Sequence, residues 1–356
     1  MLETVHEAER VAAALGDQRR MGQVAAYMTQ DYWWTGQPDR AVASGQRALA
    51  IAGKLGDSAL EAIANMRLGQ AYASLGEYRR AVEALGRNVE RAEKDPTGGA
   101  ALRSAASLAW MAWCLGYIGD FAEASARGEE ALRLAEAAQH DLSLAMAYAG
   151  VARPYLVRGD FPQAVSWLGR SMEICRRASF APLFLLVAGD LGQAFALSGR
   201  VEEGLALLQE ATAQSGALNL LPTHAWNVTM LAEVCALAGR RGEAPVYVER
   251  GLAMARAHRQ RWLEAEALRI QGQLRAAEPA PGPARAALEE AIGIAREMGL
   301  QPLLGRCQLA LGRALARAGE REAGREHLEQ AATLFRDMGM RFWLERAESA
   351  LGRSGP

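Results

Sequence analysis

The stretch LGQAYASLGEYRRA (residues 68–81) decides the fold, because it returns along the chain with its small residues in the same places. It appears again as LGQAFALSGRVEEG (191–204) and as LGRALARAGEREAG (311–324). In each copy a Leu-Gly pair comes first, a glycine follows seven positions later, and the copy closes on alanine or glycine. Self-similarity of this kind indicates an internal repeat rather than a series of unrelated domains.

The glycine in the middle of this stretch recurs along nearly the whole chain. Successive copies are 40 residues apart, except for one interval of 43 and one of 80, where Pro279 takes the place of the missing glycine. The positions seven residues before and five residues after each of these places hold only Gly, Ala or Thr in all eight repeats. The recurring glycines are Gly36, Gly76, Gly119, Gly159, Gly199, Gly239 and Gly319.

This register predicts a chain of helix pairs. Apolar residues recur three and four positions apart in both halves of each repeat, which is the period of an α-helix. Small residues allow two helices to approach closely, and the glycine between them ends one helix before the next begins. Pro182, Pro222 and Pro302 share one phase of the repeat and mark where first helices start. No sustained period-two alternation indicates a strand.

We therefore predict an all-α fold, a right-handed α-α superhelix of about eight 40-residue helix hairpins with half-units at both ends. The hairpins cover residues 18–338 of a single solenoid domain that spans residues 1–356. Residues 2–15 align with a second helix and form the N-terminal half-unit, while residues 341–353 form a C-terminal capping helix. Repeat arrays need terminal caps with a polar outer face to stay soluble.

The Leu-Gly-x-x-Tyr signature and the small residues of the second helix resemble tetratricopeptide repeats, whose usual unit is shorter, about 34 residues. More specifically, GYIGDFAEASARGEEALRLAE (116–136) and MGMRFWLERAESAL (338–351) look like the C-terminal repeats of large bacterial signalling proteins. In those proteins a class III adenylate cyclase domain and an ATPase module precede the repeats. A looser resemblance is to the repeat domain of ATP-dependent transcriptional activators of the maltotriose-sensing type. The resemblance implies a regulatory repeat region, since the cyclase and ATPase motifs do not occur here.

Composition narrows the possible partners. Forty basic and 41 acidic residues give a net charge of -1, whereas a nucleic-acid-binding surface normally needs a basic excess. The longest apolar run (108–119) has twelve residues, too few to cross a bilayer. The N-terminus is charged from its third residue, which argues against a secretory signal. We expect a cytoplasmic protein that has no membrane contact and is unlikely to bind nucleic acid.

Motifs for catalysis are not found in the sequence. There is no GxxxxGK[ST] phosphate loop and no HExxH or CxxC pair, so nucleotide binding, a zinc site and a redox motif are unsupported. The cysteines Cys114, Cys175, Cys235 and Cys307 are far apart in apolar helical segments, as is typical of small buried hydrophobic residues. We predict a protein that is not an enzyme and needs no cofactor or metal.

The resemblance implies that the first helices line a concave groove. It also implies that the residue directly after the small residue of each first helix points into this groove. We call this the groove position; it is polar in seven of the eight repeats, where packing alone would accept alanine. Aromatic residues flank it, and polar groups mixed with aromatic ones suit a peptide, a partner helix or a small polar ligand. The candidate binding residues are Gln30, Trp33, Gln70, Trp113, Tyr117, Arg153, Gln193, Trp226, Glu233, Gln273 and Arg313.

Two functions are compatible with such a groove. The first is a protein-interaction or regulatory module, the sensory or scaffold arm of a larger signalling protein, which binds a peptide, a protein partner or the other domains of a longer parent chain. The alternative is a sensor whose groove binds a small polar metabolite and changes conformation. A metabolite would raise the melting temperature of the protein by mass action, whereas a scaffold would respond only to a protein or peptide.

Overall fold

The computed structural model describes residues 2–94, 98–277 and 282–353, and every regular element in this part of the chain is an α-helix. Eight hairpins, from α2/α3 to α16/α17, follow one another between two single helices, as the sequence predicted. Pro279 lies outside the described residues. The helices are α1 Leu2–Ala14, α2 Gln18–Trp34, α3 Pro38–Leu55, α4 Ser58–Leu75, α5 Tyr78–Lys94, α6 Gly98–Ile118, α7 Phe121–Ala138, α8 Asp141–Arg158, α9 Phe161–Ala178, α10 Ala181–Leu197, α11 Val201–Ala217, α12 Leu221–Leu237, α13 Ala244–Ala257, α14 Arg261–Arg275, α15 Gly282–Glu297, α16 Gln301–Arg317, α17 Arg321–Asp337 and α18 Arg341–Arg353.

Local chemistry sets the helix ends. Asp17 and Asp57 accept a hydrogen bond from a backbone N–H of the first turn of α2 and α4, which satisfies a donor that the helix itself leaves free. The three prolines of the shared phase lie in the first turn of α10, α12 and α16, as predicted. All seven recurring glycines adopt a positive φ, between 66° and 98°. Glycine is the residue that adopts this conformation without strain, so it separates the two helices of a hairpin.

The small residues lie where the two helices of a hairpin touch. A Cβ atom built on Gly192 of α10 would lie 2.8 Å from Leu208 Cγ of α11, and one on Gly69 of α4 would lie 2.5 Å from Leu85 Cγ of α5. The alanines that hold the same place in other repeats are completely buried, as in the case of Ala152. The eightfold register therefore reflects close helix packing, and a larger side chain has no room there.

The solenoid also curves back on itself, so that hairpins far apart in sequence touch. Nδ1–H of His258 donates to the Gly36 carbonyl, with 3.0 Å between nitrogen and oxygen. The indole N–H of Trp262 donates to the Ser74 carbonyl, also at 3.0 Å. The Trp262 ring lies 5.2 Å from that of Tyr117. Gly36 and Ser74, at or next to the turns of the first two hairpins, thus contact the start of α14 and the turn before it. We call this set of contacts the closure.

We predict that Gly192→Leu lowers the free energy of unfolding by about 1–3 kcal/mol or more, because overpacking a tight contact forces the helices apart. Thermal and urea unfolding followed by circular dichroism would measure the effect. The control is Gly169→Ala in α9, where an added Cβ meets nothing within 4 Å. Alanine should stabilise that exposed helical site by about 0.5–1 kcal/mol. An unchanged melting temperature for Gly192→Leu would contradict the close-packing account.

A second prediction concerns the closure. Trp262→Ala should lower the free energy of unfolding by about 3–5 kcal/mol and raise the radius of gyration measured by small-angle X-ray scattering, because the two parts of the solenoid lose their largest shared side chain. Trp167→Ala is the matched control, since Trp167 stacks on Tyr148 within a single hairpin. Its radius of gyration should equal that of the wild type. Equal radii for all three proteins would show that Trp262 does not hold the solenoid closed.

Candidate functional site

An open cavity of about 580 Å³ lies on the inner side of the N-terminal half of the solenoid. We call it the N-terminal cavity. It is lined by the first helices of consecutive hairpins, from α2 to α10, with one residue each from α12 and the turn before it and two from the turn before α10. A volume of this size is typical of sites for small ligands. Four of the residues predicted from the groove pattern line it: Gln30, Trp33, Gln70 and Trp113.

Tryptophan rings form much of the cavity wall. Trp110 and Trp113, one helical turn apart on α6, are stacked with their ring centroids 4.8 Å apart. Trp33 of α2 meets Trp110 edge-on at 5.9 Å. Such packing fixes the ring planes, so the wall is rigid, and broad apolar faces of this kind bind side chains with little loss of conformational entropy.

The polar groups of the N-terminal cavity are basic or neutral. Arg67 of α4 and Arg103 of α6 line it beside Gln30 and Gln70, and the residues described in its wall include no aspartate or glutamate. Arg67 Nη1 donates to Gln70 Oε1 at 3.1 Å. Burial lowers the pKa of the Arg67 guanidinium, which remains charged at neutral pH because arginine starts from a very high value. The cavity is therefore apolar and positively charged.

Beyond the cavity, buried charged groups fill the inner side of the solenoid. Arg153, at the groove position of α8, is 1% exposed and forms an ion pair with Asp190 of α10 at 2.5 Å. Arg153 Nη1 also donates to the Tyr117 hydroxyl at 2.7 Å. The guanidinium carbon lies 4.0 Å from the Trp113 ring centroid. Trp226 Nε1–H donates to Asp190 Oδ1 at 3.2 Å. These contacts join α6, α8, α10 and α12.

A second group of buried charged side chains lies further along the inner side of the solenoid. Glu233 accepts from Gln193 at 2.9 Å and from Arg269 at 2.6 Å. Arg306 bridges Glu233 and Glu266, at 3.1 Å and 3.0 Å. We call both groups together the axial cluster. A cavity of about 40 Å³ lies beside it, far smaller than the N-terminal cavity, so the described interior is open in one half of the solenoid and mostly filled in the other.

The environment changes the pKa of two of these buried carboxylates, Glu233 and Asp190. Burial alone would oppose the charge on Glu233, yet the Arg269 and Arg306 guanidinium groups outweigh it and lower the pKa of Glu233 to about 2. For Asp190 burial dominates and raises the pKa to about 6, although Arg153 and the Trp226 N–H act in the opposite direction. The carboxylate with two guanidinium partners is thus the more firmly ionised of the two.

The predicted groove residues therefore fall into two sets. Gln30, Trp33, Gln70 and Trp113 line the N-terminal cavity, whereas Tyr117, Arg153, Gln193, Trp226 and Glu233 belong to the axial cluster. For the residues of the axial cluster, contact with a ligand stays a prediction. Their polar groups already have partners inside the protein. The remaining two also have partners: Gln273 accepts from Arg269, and Arg313 donates to the backbone carbonyl of Arg346.

Several residues that shape the interior were not predicted from the groove position. They lie on the same helices, seven residues or two helical turns before the groove positions, and we call them the second stripe. Inspecting this phase of the repeat in the sequence would have revealed them. The stripe is apolar along the cavity and becomes aromatic and charged in the axial cluster. It comprises Ile63, Ala106, Met146, Leu186, Trp226, Glu266 and Arg306, of which Trp226 was already among the candidate binding residues.

The four cysteines are buried, as expected for small apolar residues. Burial raises the thiol pKa to about 11 for Cys175 and Cys235 and to about 12 for Cys307. Thiols with such values are protonated at neutral pH and are poor nucleophiles.

Comparison with known proteins agrees with this architecture. Residues 62–95 match the family model of the tetratricopeptide repeat. No protein of curated function matches the sequence. Among the described helices, none is both long enough and apolar enough to pass through a bilayer.

Solved structures share the fold at low sequence identity. A Rap protein complexed with Competence and Sporulation Factor is 14% identical, with a TM-score of 0.62, over 94% of this chain and 99% of that one. The quorum sensor NprR from B. thuringiensis, in its apo form, is 14% identical with a TM-score of 0.57, over 92% and 93% of the two chains. The chain has the fold of a tetratricopeptide-like solenoid.

A third similar structure is a multidomain protein. It is a signal transduction ATPase with numerous domains and a tetratricopeptide repeat sensor, from Pyrococcus horikoshii, 15% identical with a TM-score of 0.53. The alignment covers 96% of this chain but 50% of that protein.

The axial cluster gives a prediction about pH. Glu233→Gln should lower the free energy of unfolding at pH 7 by about 3–5 kcal/mol, because it leaves the two buried guanidinium groups of Arg269 and Arg306 with one carboxylate, Glu266, in place of two. Since the folded pKa of Glu233 lies below its ordinary value of 4.5, its stabilisation is present above pH 4.5 and is lost as the pH falls towards 2. The difference between wild type and variant should therefore shrink over this range.

The matched control for that experiment is Glu203→Gln, which removes an exposed ion pair with Arg200. Exposed pairs contribute little to stability, so this variant should unfold like the wild type at every pH. Urea unfolding curves recorded from pH 2.5 to 7 would decide the matter. A difference between Glu233→Gln and wild type that does not vary with pH would show that Glu233 is not ionised by its arginine partners.

Proposed function

We propose that this chain is a non-enzymatic regulatory module that binds a peptide, or a short segment of a protein partner, in the N-terminal cavity. The observation that carries the proposal is the contrast between the two halves of the interior. The axial cluster fills one half with paired charges, whereas the other half keeps about 580 Å³ of open space lined by tryptophans. An open, aromatic, concave wall of this kind is typical of a binding site.

The similar structures support a peptide as the ligand class. Two proteins that share the fold are named as complexes with Competence and Sporulation Factor and with the Phr* peptide. A further one is named as a quorum sensor. A solenoid binds an extended segment along its inner face because successive first helices present side chains at regular intervals.

We further propose that the module works as the sensory arm of a larger cytoplasmic signalling protein. The resemblance of its sequence to the repeats that follow cyclase and ATPase domains supports this, and so does the fold shared with the tetratricopeptide repeat sensor of a signalling ATPase. In such an arrangement the repeats bind the signal and the preceding domains carry out the chemistry. Repeats of ATP-dependent transcriptional activators, to which the sequence is more loosely similar, would have the same role.

The cavity-filling variant Ala106→Phe tests the proposal. Ala106 lines the N-terminal cavity and is only partly buried, so a phenyl ring should occupy ligand space at small cost to folding. Random hexapeptide pools should raise the melting temperature of the wild type by mass action and should fail to raise that of Ala106→Phe. The measurement is differential scanning fluorimetry, with intrinsic tryptophan fluorescence as a second readout.

The control is Ala126→Phe, which adds the same ring to an exposed site on α7 outside the cavity and should respond to peptides like the wild type. A library of polar metabolites is tested in parallel. Stabilisation by a metabolite and by no peptide would favour the alternative, a small-molecule sensor. Equal peptide responses from Ala106→Phe and the wild type would place the binding surface elsewhere.

A further inference from the structure

Three successive hairpin turns of the N-terminal half are each covered by a side chain from the C-terminal half. The covering residue directly follows the second helix of the hairpin five places further along the chain. A Cβ atom added to any of the three turn glycines would clash with it. One turn of the superhelix therefore takes about five hairpins. We call these pairs the stacking contacts: Gly36 with His258, Gly76 with Met298, and Gly119 with Met338.

The stacking contacts join two different faces of the solenoid. Because consecutive helices run antiparallel, the turns within hairpins lie at one end of the helices and the turns between hairpins lie at the other. We call these ends the hairpin-turn face and the linker-turn face. The hairpin-turn face of the first hairpins meets the linker-turn face of the last ones. The linker-turn face of the first hairpins and the hairpin-turn face of the last ones remain outside the stack.

The linker-turn face outside the stack carries exposed leucines. The residues that cover the turn glycines have equivalents in earlier repeats, at the same place relative to the turn between hairpins. These equivalents are Leu15, Leu55 and Leu218, which are 63%, 45% and 53% exposed. Large apolar side chains that recur on one face mark an interaction surface. The repeat position that makes contacts in the last hairpins is thus apolar and exposed in the earlier ones.

The hairpin-turn face outside the stack has room for such side chains. A Cβ atom added to Gly199 or Gly239 would meet none of the described residues within 4 Å. Leu237, two residues before Gly239, is 49% exposed. In the second hairpin the equivalent residue, Ser74, accepts the hydrogen bond from Trp262. The surface that the chain covers in its first hairpins is therefore open in its fifth and sixth.

We propose that a second copy of this chain stacks on the first, with its linker-turn face against the open hairpin-turn face. Leu15 and Leu55 are one repeat apart, and so are Gly199 and Gly239, which is the spacing that His258 and Met298 share with the glycines they cover. The contact between copies continues the stacking contacts within each copy. It joins two unlike faces, so it is head-to-tail and leads to rings or filaments.

The charges of the two faces are complementary. Beside the first stacking contact, Arg259 donates to Asp39, with 2.6 Å between nitrogen and oxygen. The residue equivalent to Asp39 in the fifth hairpin is Glu202, whose side chain is 78% exposed. Lys54, which precedes Leu55, is exposed on the other face. Exposed pairs of this kind add little affinity, but they favour one orientation of the partner.

Sedimentation velocity over about a hundredfold range of protein concentration tests the proposal. The wild type should sediment as a monomer of 38.3 kDa at low concentration and as dimers and larger species as the concentration rises. Leu55→Glu places a charge on the linker-turn face, and Leu237→Glu places one on the hairpin-turn face. Each should weaken self-association by tenfold or more. Both sites are exposed, so helix content and melting temperature should equal those of the wild type.

A mixture of these two variants tests whether the contact is head-to-tail. Each variant keeps the face that the other has lost, so an equimolar mixture should form dimers and no larger species. A wild type that stays monomeric at every concentration, or a mixture that forms no dimers, would overturn the proposal.

Tyr27→Glu is the matched control, because Tyr27 is an exposed apolar residue in the middle of α2 and lies on neither face. It should associate like the wild type, and an equal loss of association in this variant would also contradict the assignment of the two faces. None of the three substituted residues lines the N-terminal cavity. Peptide binding in that cavity can therefore be measured in every variant, and the proposed function is tested separately.

Discussion

The close contact between the two helices of each hairpin is the constraint on which the rest of the structure depends. Where Gly192 meets Leu208 there is no room for even one added methyl group, so the distance and crossing of the two helices are fixed by backbone and leucine atoms. Interlocking of this kind permits a narrow range of crossing angles. Repeated eight times with nearly constant spacing, it gives the solenoid a steady curvature, and that curvature brings His258 against Gly36.

Curvature in turn creates an interior, and the chain fills it in two different ways. In the C-terminal half, buried charges such as Glu233 and Arg269 meet along the axis. Buried ion pairs contribute little net stability when compared with well-packed apolar groups, but a charge without its partner is strongly unfavourable. The ion pairs of the axial cluster therefore depend on the present arrangement of their helices. Among the residues described in the N-terminal half there is no such cluster, and the interior there holds the N-terminal cavity.

Much of this could be predicted from the sequence, because the repeat is a local pattern. The spacing of Gly36, Gly76 and their equivalents gave the turns and the number of hairpins, and the small-residue register gave the helix contacts. The groove position and the aromatic residues flanking it found four of the residues that line the cavity. It did not distinguish Gln70, which lines the N-terminal cavity and accepts from Arg67, from Gln193, which donates to Glu233 in the axial cluster. Both are glutamines at one phase of the repeat, so their local patterns are the same.

The difference between these two glutamines arises from contacts over long sequence distances. Arg306 reaches Glu233 across 73 residues, and Trp262 reaches Ser74 across 188. Such pairings depend on the pitch of the superhelix, which is the sum of small rotations between successive hairpins. A small error in each rotation accumulates along the chain, so a pattern read within one repeat does not determine which distant hairpins touch. The stripe seven residues before the groove position carries part of the missing information, since its change from Met146 and Leu186 to charged residues marks where the interior fills.

The cavity and the closure share one helix, which links the open half to the rest of the molecule. Trp33 and Trp34 at the end of α2 line the cavity, and Gly36, two residues further on, accepts the hydrogen bond from His258. A ligand that packs against these tryptophans therefore contacts the same helix end that the closure holds. A ligand can shift such an equilibrium only by its difference in affinity for the closed and the open arrangement. In the first hairpins the wall of the cavity and the contact with His258 are separated by a single turn, so this is where a bound ligand and the closure act on the same segment of the chain.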